Sequence, residues 1–362
     1  LHQSAIDEHP TIRPHRLGVG LYSMNEGVQR TEYIELDISE QVTSVDSLVG
    51  KKHPGLILVN DEDLAYAKVR LDKASREFAI QKLSEFRDPL ARSVIWTSVW
   101  DSARDAEIDI TEFIELVLNN IQSETESTTL LTLIRQLVTS VTLYLPEGQR
   151  ELAGSEAATR FIELSGLVEA GSDLQFQLVK GAAMLSTKSE MNWVQGVLDG
   201  SIQINGLEID QDLRWELLAA LATHGHTNQA ELDAELEKDN TATGQKAHAF
   251  ARAALPDSAN KETLWKELVE QDEMSNAILE SASRGFTRVA NPTILEPFVD
   301  RFLDSVERIW ESKSFSIAEY LLLNLYPIEI ANQALREKTA KLIERESIQS
   351  KAALRRILIE HL

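Results

Sequence analysis

The sequence predicts a mostly α-helical protein: a HEAT/armadillo-like α-solenoid of antiparallel helix pairs preceded by a small β-sandwich domain. Three observations predict it. Before Asp72, strand-length apolar runs alternate with turn signals. After Asp72, helix-capping residues recur to the end, mostly roughly 15–21 residues apart, a spacing that suits stacked helix pairs. The chain has 362 residues, 43% of them hydrophobic, enough for two domains and a sizeable core. The predicted division is 1–71 for the β-sandwich domain and 72–362 for the helical repeats. The chain opens on Leu1 rather than Met, so the β-sandwich is expected to be truncated at its N-terminus.

Residues 1–15 are polar and carry His2, His9 and His15. Pro10 and Pro14 break any helix that would bring these histidines to one face. Leu17, Val19 and Leu21 share one face of a first strand; Asn25, Glu26 and Gly27 signal a turn; Ile34, Leu36 and Ile38 share one face of a second strand. Gly18 and Gly20 sit inside the first strand, where glycine marks a bulge. Residues 55–72, GLILVNDEDLAYAKVRLD, read as a hairpin: an apolar run Leu56 to Val59, an acidic turn, and a second alternating run from Leu64 to Val69. The hairpin leads into the first helix at Asp72.

Helix starts follow at Asp88, with Pro89 at the first helical position, and at Asp109, with Glu112 at capping-box spacing. Ser127 opens a helix with Leu131, Ile134, Val138 and Val141 on one stripe, ended by Pro146. Further starts are expected at Ser155, Ser172, Ser189, Asp210, Asn228, Thr241 and Ser258, then near Ser275, Asn291, Phe315 and Ser347. The segment Asp210 to Thr223 carries two apolar stripes, Leu213, Leu217, Ala220 and Leu221 on one and Trp215, Leu218, Ala219 and Ala222 on the other. A helix apolar on two faces lies between neighbours. The last helix has Leu354, Ile357, Leu358 and Leu362 on one stripe and reads as a docked cap.

Charge and motifs narrow the function. The net charge of −22 repels phosphate backbones and argues against a nucleic-acid partner. No apolar run approaches the ~20 residues of a membrane span. Cysteine is absent, which excludes disulfides and thiolate chemistry and favours a cytoplasmic setting. No His is followed by Glu, so an HExxH zinc site is absent. His224 and His226 flank Gly225 at a helix end and lack a third ligand at a recognisable spacing; glycine there reads as a left-handed cap. The run Asp61, Glu62, Asp63 lacks the spaced oxygens of a calcium loop. Arg214 and Trp215 are the candidates for touching a peptide, against the plainer reading of a core Trp beside a surface Arg. No residue is predicted to be catalytic, cofactor-binding or metal-ligating.

Particular segments carry a resemblance. They are Arg13 to Arg16 (RPHR), Gly20 to Tyr22 (GLY), and above all Leu58 to Asp72, LVNDEDLAYAKVRLD. Asp88 to Arg92 with Trp96 and Trp100, Leu198 to Gly200, Gly206 through Asp210 to Trp215, Asp239 to Gly244, and Ser275 to Ala277 support it. Across nearly its whole length the chain resembles the C-terminal half of the aminopeptidase N family of zinc-dependent gluzincins, and is similar to the C-terminal domain of the endoplasmic-reticulum aminopeptidases. The resemblance implies the end of a β-sandwich followed by a helical domain that closes over an active site held upstream. It implies zinc in the full-length parent, none in this chain, and as partners an upstream catalytic domain and peptide substrates. The family's zinc motif, glutamate ligand, catalytic tyrosine and GxMEN motif lie upstream. Gly181 to Met184 is not GxMEN, because Leu185 follows Met184. This chain alone is therefore expected to hydrolyse no aminoacyl arylamide. The alternative is a free-standing helical-repeat scaffold that binds proteins.

Overall fold

The structure, a computed structural model, describes residues 1–6, 9–271 and 273–362. They divide into two compact units, Leu1–Leu145 and Pro146–Leu362.

In the first unit, β1 (His15–Met24), β2 (Val28–Ile38) and β3 (Leu56–Asp61) form one antiparallel sheet in the order β2-β1-β3. The predicted turn joins β1 to β2, with Glu26 and Gly27 at φ of 55° and 100°. The register sets Val19 against Ile34 on one side and Val59 on the other. That face buries Leu17, Val19 and Ile38 under Ala65, with Leu1 and Leu48 against them. On the other face Leu56 and Leu58 are fully buried, and the Tyr22 ring lies 5.0 Å from that of Phe86. The pairing of β1 with β3 shifts between Gly18 and Val19, the bulge that the strand glycines signalled. At Gly20 a Cβ would stand 2.1 Å from Asp61 Oδ2. Its absence lets the buried Asp61 carboxylate accept from Tyr22 Oη at 3.0 Å and Arg30 Nη1 at 3.1 Å.

The predicted hairpin is half right. Its first arm is β3, but residues 64–71 join no ladder. The Asn60 side chain competes for the backbone: its Oδ1 accepts from Ala65 N and its Nδ2 donates to Ala65 O. Further on, Ser98 Oγ donates to Val69 O, and Lys68 and Arg70 pair with Asp105. The segment is therefore anchored to helices rather than to a strand.

Four helices complete this unit: α1 (Lys73–Lys82), α2 (Pro89–Arg104), α3 (Ile110–Asn120) and α4 (Ser127–Thr139), the last extended by a π turn over Ser140–Tyr144. Asp72, Asp88 and Asp109 cap the first three through side-chain bonds to Ser75, Leu90 and Thr111. Beneath them Arg92 Nε and Trp96 Nε1 both donate to Glu124 Oε1 at 2.8 Å, a buried charge with its partners in place.

The second unit is helical. It runs through α5 (Glu147–Ser165), α6 (Asp173–Leu185), α7 (Met191–Asp199), α8 (Gln211–Thr223), α9 (Gln229–Lys238) and α10 (Ala242–Ala254). It continues through α11 (Ser258–Trp265), α12 (Asn276–Phe286), α13 (Phe298–Ser312), α14 (Phe315–Asn324), α15 (Gln333–Ile343), α16 (Glu346–Gln349) and α17 (Ala352–Ile359). Ser172, Asp210, Asn228 and Thr241 cap helices as expected, each accepting a backbone N–H. Ser155 does not; it lies inside α5, which starts after Pro146, and its hydroxyl donates to Glu190 Oε1 at 2.6 Å. Near Ser189 the cap is Thr187, in a capping box with Glu190. Asp257 rather than Ser258 caps α11. Asn291 caps a 3-10 turn, Pro292–Leu295, and α13 begins only at Phe298.

Alternate helices touch in succession, α6 on α8, α8 on α10, α10 on α12 and α12 on α14, and α14 then meets α17. The two stripes of α8 go to two different cores. Leu213, Leu217, Ala220 and Leu221 pack with Val179 and Val194, whereas Trp215, Leu218 and Ala222 pack with Leu232 and Ala251. Gly285 brings α12 against α10, since a Cβ there would lie 2.2 Å from Phe250 O. Leu354, Ile357 and Leu358 dock α17, but Leu362 lies beyond the helix and is exposed.

Candidate functional site

The second unit carries a half-buried wall of charge assembled from distant segments. On α6, Phe176, Lys180 and Met184 lie one turn apart on one stripe. Lys180 Nζ reaches Glu216 Oε1 of α8 at 3.2 Å and stands 5.7 Å from the Phe176 ring centre. Arg288 follows the C-terminal turn of α12, its N–H bonded to Gly285 O at 3.1 Å. Its Nη2 donates to Met184 O, at the end of α6. Glu329 lies in the 3-10 turn Ile328–Ile330, which Pro327 precedes. Arg150, in the first turns of α5, donates from Nη1 to Glu329 O at 3.3 Å. The start of this unit and its late turn therefore meet at one place.

The electrostatics of this wall are unbalanced. Arg288 makes one hydrogen bond and has no carboxylate within ion-pair distance among the described residues. A guanidinium offers five N–H donors in a flat fork that matches a carboxylate. Burial lowers the Arg288 pKa, against the pull of Glu329 and Glu216, yet a guanidinium stays charged at any ordinary pH. Burial also pushes the Glu329 carboxyl up to about 7, with Arg288 and Arg150 acting the other way. His224, at the end of α8, lies with Nε2 3.0 Å from Ser186 O. A carbonyl only accepts, so Nε2 carries the proton. Burial lowers the His224 pKa, with Arg288 and His226 adding to the effect, so the ring is neutral at pH 7. Such a wall can hold an anion by charge and hydrogen bonds.

Comparison with known proteins defines the family. Residues 56–362 match the model of the ERAP1-like C-terminal domain. The chain belongs to the ERAP1-like C-terminal domain family. It is also 34% identical over 354 residues to aminopeptidase N of Streptomyces lividans, covering 97% of this chain and 41% of that protein. The chain thus spans less than half the length of this relative, in its C-terminal part.

Of the residues singled out from the sequence, His224 and Met184 meet Arg288 at the wall, whereas the peptide-contact candidates of this ERAP1-like domain, Arg214 and Trp215, are engaged with α9 and Asp239. Arg214 forms a two-pronged bond to Glu235, Nε to Oε1 at 2.7 Å and Nη2 to Oε2 at 2.9 Å. Arg214 with Lys238 and Gln211 holds the Glu235 carboxyl down at about 2. Trp215 is buried, and its Nε1 donates to Asp239 Oδ2 at 2.9 Å. Their remaining polar contact is Arg214 Nη1 to Leu198 O at 3.4 Å, so both side chains are engaged within the fold. Gly225 takes φ 71°, and His226 N bonds Leu221 O at 2.8 Å, the left-handed cap expected there. His2 bridges to Val42 and His15 opens β1. Among the described residues no group of three or more His, Asp or Glu is placed to hold a metal. Among the described residues no helix is long and apolar enough to cross a membrane.

An open cleft of about 780 Å³ runs between the α8–α9 turn and the start of α11, lined by His248, Arg252 and Asn260. Those groups are engaged: His248 with Asp233 at 2.7 Å, Arg252 with Glu267 at 3.1 Å, and Asn260 with Arg252 O at 2.8 Å. The wall at Arg288 has the stronger claim to a ligand. Sequence reasoning missed it because Arg288 and Glu329 are ordinary surface-type residues 41 positions apart. Arg288 stands two residues beyond Phe286, where α12 ends, and Glu329 lies inside a short 3-10 turn.

Proposed function

We propose that this chain is the non-catalytic C-terminal portion of a zinc aminopeptidase, and that its helices enclose the path of the peptide and hold the part distal to the scissile bond. The zinc and its ligands belong to an upstream catalytic domain of the same polypeptide. Residues 1–71 form the end of a β-sandwich, and 72–362 form an α-solenoid of stacked helix pairs. The run of contacts from α6 to α17 supports that architecture. Absence of cysteine supports a cytoplasmic setting.

The observation that carries the positional role is Arg288, half-buried and with no carboxylate within ion-pair distance among the described residues. We assign it to the C-terminal carboxylate of the peptide. Holding that end fixes where the N-terminal residue lies, so binding far from the bond is used as orientation. The test compares three substrates of the complete polypeptide: a ten-residue peptide with a free carboxylate, the same peptide amidated, and an aminoacyl arylamide. Arg288→Gln is expected to lower kcat/KM about tenfold for the free acid, the value of one partly buried charged contact, and to leave amide and arylamide unchanged. Equal loss on all three, or on none, overturns the assignment.

A further inference from the structure

Helix α6 offers one open ridge on an otherwise closed surface. From Gln175 to Leu185 only Phe176, Lys180 and Met184 are partly exposed; every other residue of that stretch is buried. Steps of four residues place these side chains one turn apart, about 6 Å between neighbours. The helix beneath them is fixed, because Val179 and Ala183 pack with Leu213 and Leu217 of α8. The ridge ends where Arg288 Nη2 donates to Met184 O. At its middle the Lys180 ammonium gives one of its three N–H donors to Glu216 at 3.2 Å and lies 5.7 Å from the Phe176 ring centre. Among the described residues Glu216 is the one carboxylate within ion-pair distance of Lys180.

The spacing of the ridge matches that of an extended peptide. Alternate side chains of an extended chain lie on one face about 6.7 Å apart, against about 6 Å for each step of the ridge. A peptide with its carboxylate at Arg288, running back along α6, therefore sets its C-terminal residue at Met184 and the third residue from that end at Lys180. The other direction leads into Glu329, whose backbone Arg150 holds. The ridge itself is open, with side-chain exposure of 21% at Lys180 and 37% at Glu216. Charge then selects the side chain. Lys180, Arg150 and Arg288 stand against Glu216 and Glu329, and burial holds Glu329 toward its neutral form. That local excess of positive charge contrasts with the net charge of −22 on the chain and complements a carboxylate. We infer that Lys180 determines specificity by favouring an acidic side chain at the third position from the C-terminal end of the peptide, its ammonium shared between that carboxylate and Glu216. The inference rests on the proposed function, because Arg288 is the fixed point from which the register is counted.

The test is a glutamate scan on the complete polypeptide. Ten-residue free-acid peptides carry one Glu in place of Gln at the second, third or fourth position from the C-terminal end, and kcat/KM is measured for each. Glutamate at the third position is expected to raise kcat/KM about fivefold, the scale of one half-exposed ion pair. At the second and fourth positions, which face away from the ridge, the expected change is less than about twofold. Lys180→Gln is expected to flatten the scan and Lys180→Arg to keep it. The aminoacyl arylamide, too short to reach the ridge, is expected to be turned over equally by all three proteins. A flat scan in the wild type, a maximum at another position, or a preference that survives Lys180→Gln each overturns the inference. Amidated peptides separate the two levels of the argument. If the wild type turns over free acid and amide alike, the proposed function fails and the register with it; if it prefers the free acid and the scan is flat, only the role of Lys180 fails.

Discussion

Glu329 competes with any bound carboxylate for Arg288, and its own protonation sets the terms. Its folded pKa of about 7 stands above the ordinary 4.5. The fold therefore favours the protonated form. The penalty for ionising it is absent below about pH 4.5 and complete above about pH 7, amounting to on the order of 3 kcal/mol. Glu329→Gln is expected to raise stability at pH 8 by about 1–3 kcal/mol and to remove its share of the decline between pH 4.5 and 7, read from urea midpoints across pH. The same group predicts that preference for free-acid over amidated peptide is larger at pH 6 than at pH 8, and that the variant loses this trend. Lys261 shows the opposite balance. It is fully buried, with Nζ 2.6 Å from both Ala253 O and Phe286 O, and burial lowers its pKa to about 7. Lys261→Ala leaves two carbonyls unpaired and a void, and is expected to cost about 3 kcal/mol in urea unfolding. Lys261→Met, which restores volume, is expected to recover part of it.

At the scale of the element, close approach decides more than propensity. Gly285→Val would drive a side chain into Phe250 O and Ala253 Cβ, forcing α12 away from α10. The expected cost is about 1–3 kcal/mol, seen as a lower urea midpoint. Helices with strong local signals were legible in the sequence. The double stripe of α8 named both of its cores, and Asp72, Asp88, Asp210 and Thr241 marked the starts that they cap. Starts failed where local chemistry was ambiguous: Ser155 has the side chain of a cap but sits about two turns into α5, because Pro146 had already set the first turn. The second arm of the hairpin failed for a different reason. Alternation from Leu64 to Val69 is real, but Asn60 supplies the hydrogen bonds that a partner strand would have supplied. The charged wall was illegible throughout, since α6, α8, α12 and the turn after α14 meet only through tertiary contacts.

At the scale of the whole molecule, the proposed function divides labour: it gives this chain the task of holding the peptide and places metal chemistry elsewhere in the polypeptide. On that proposal, recognition of the distal carboxylate centres on Arg288 and owes nothing to zinc. The most direct measurement is equilibrium binding of a fluorescent ten-residue peptide to the complete polypeptide stripped of metal by a chelator, free acid against amide, in wild type and Arg288→Gln. The account predicts about tenfold tighter binding of the acid by the metal-free wild type, and equal binding of the two by the variant. Loss of the acid preference on removal of the metal, or its survival in Arg288→Gln, would contradict it.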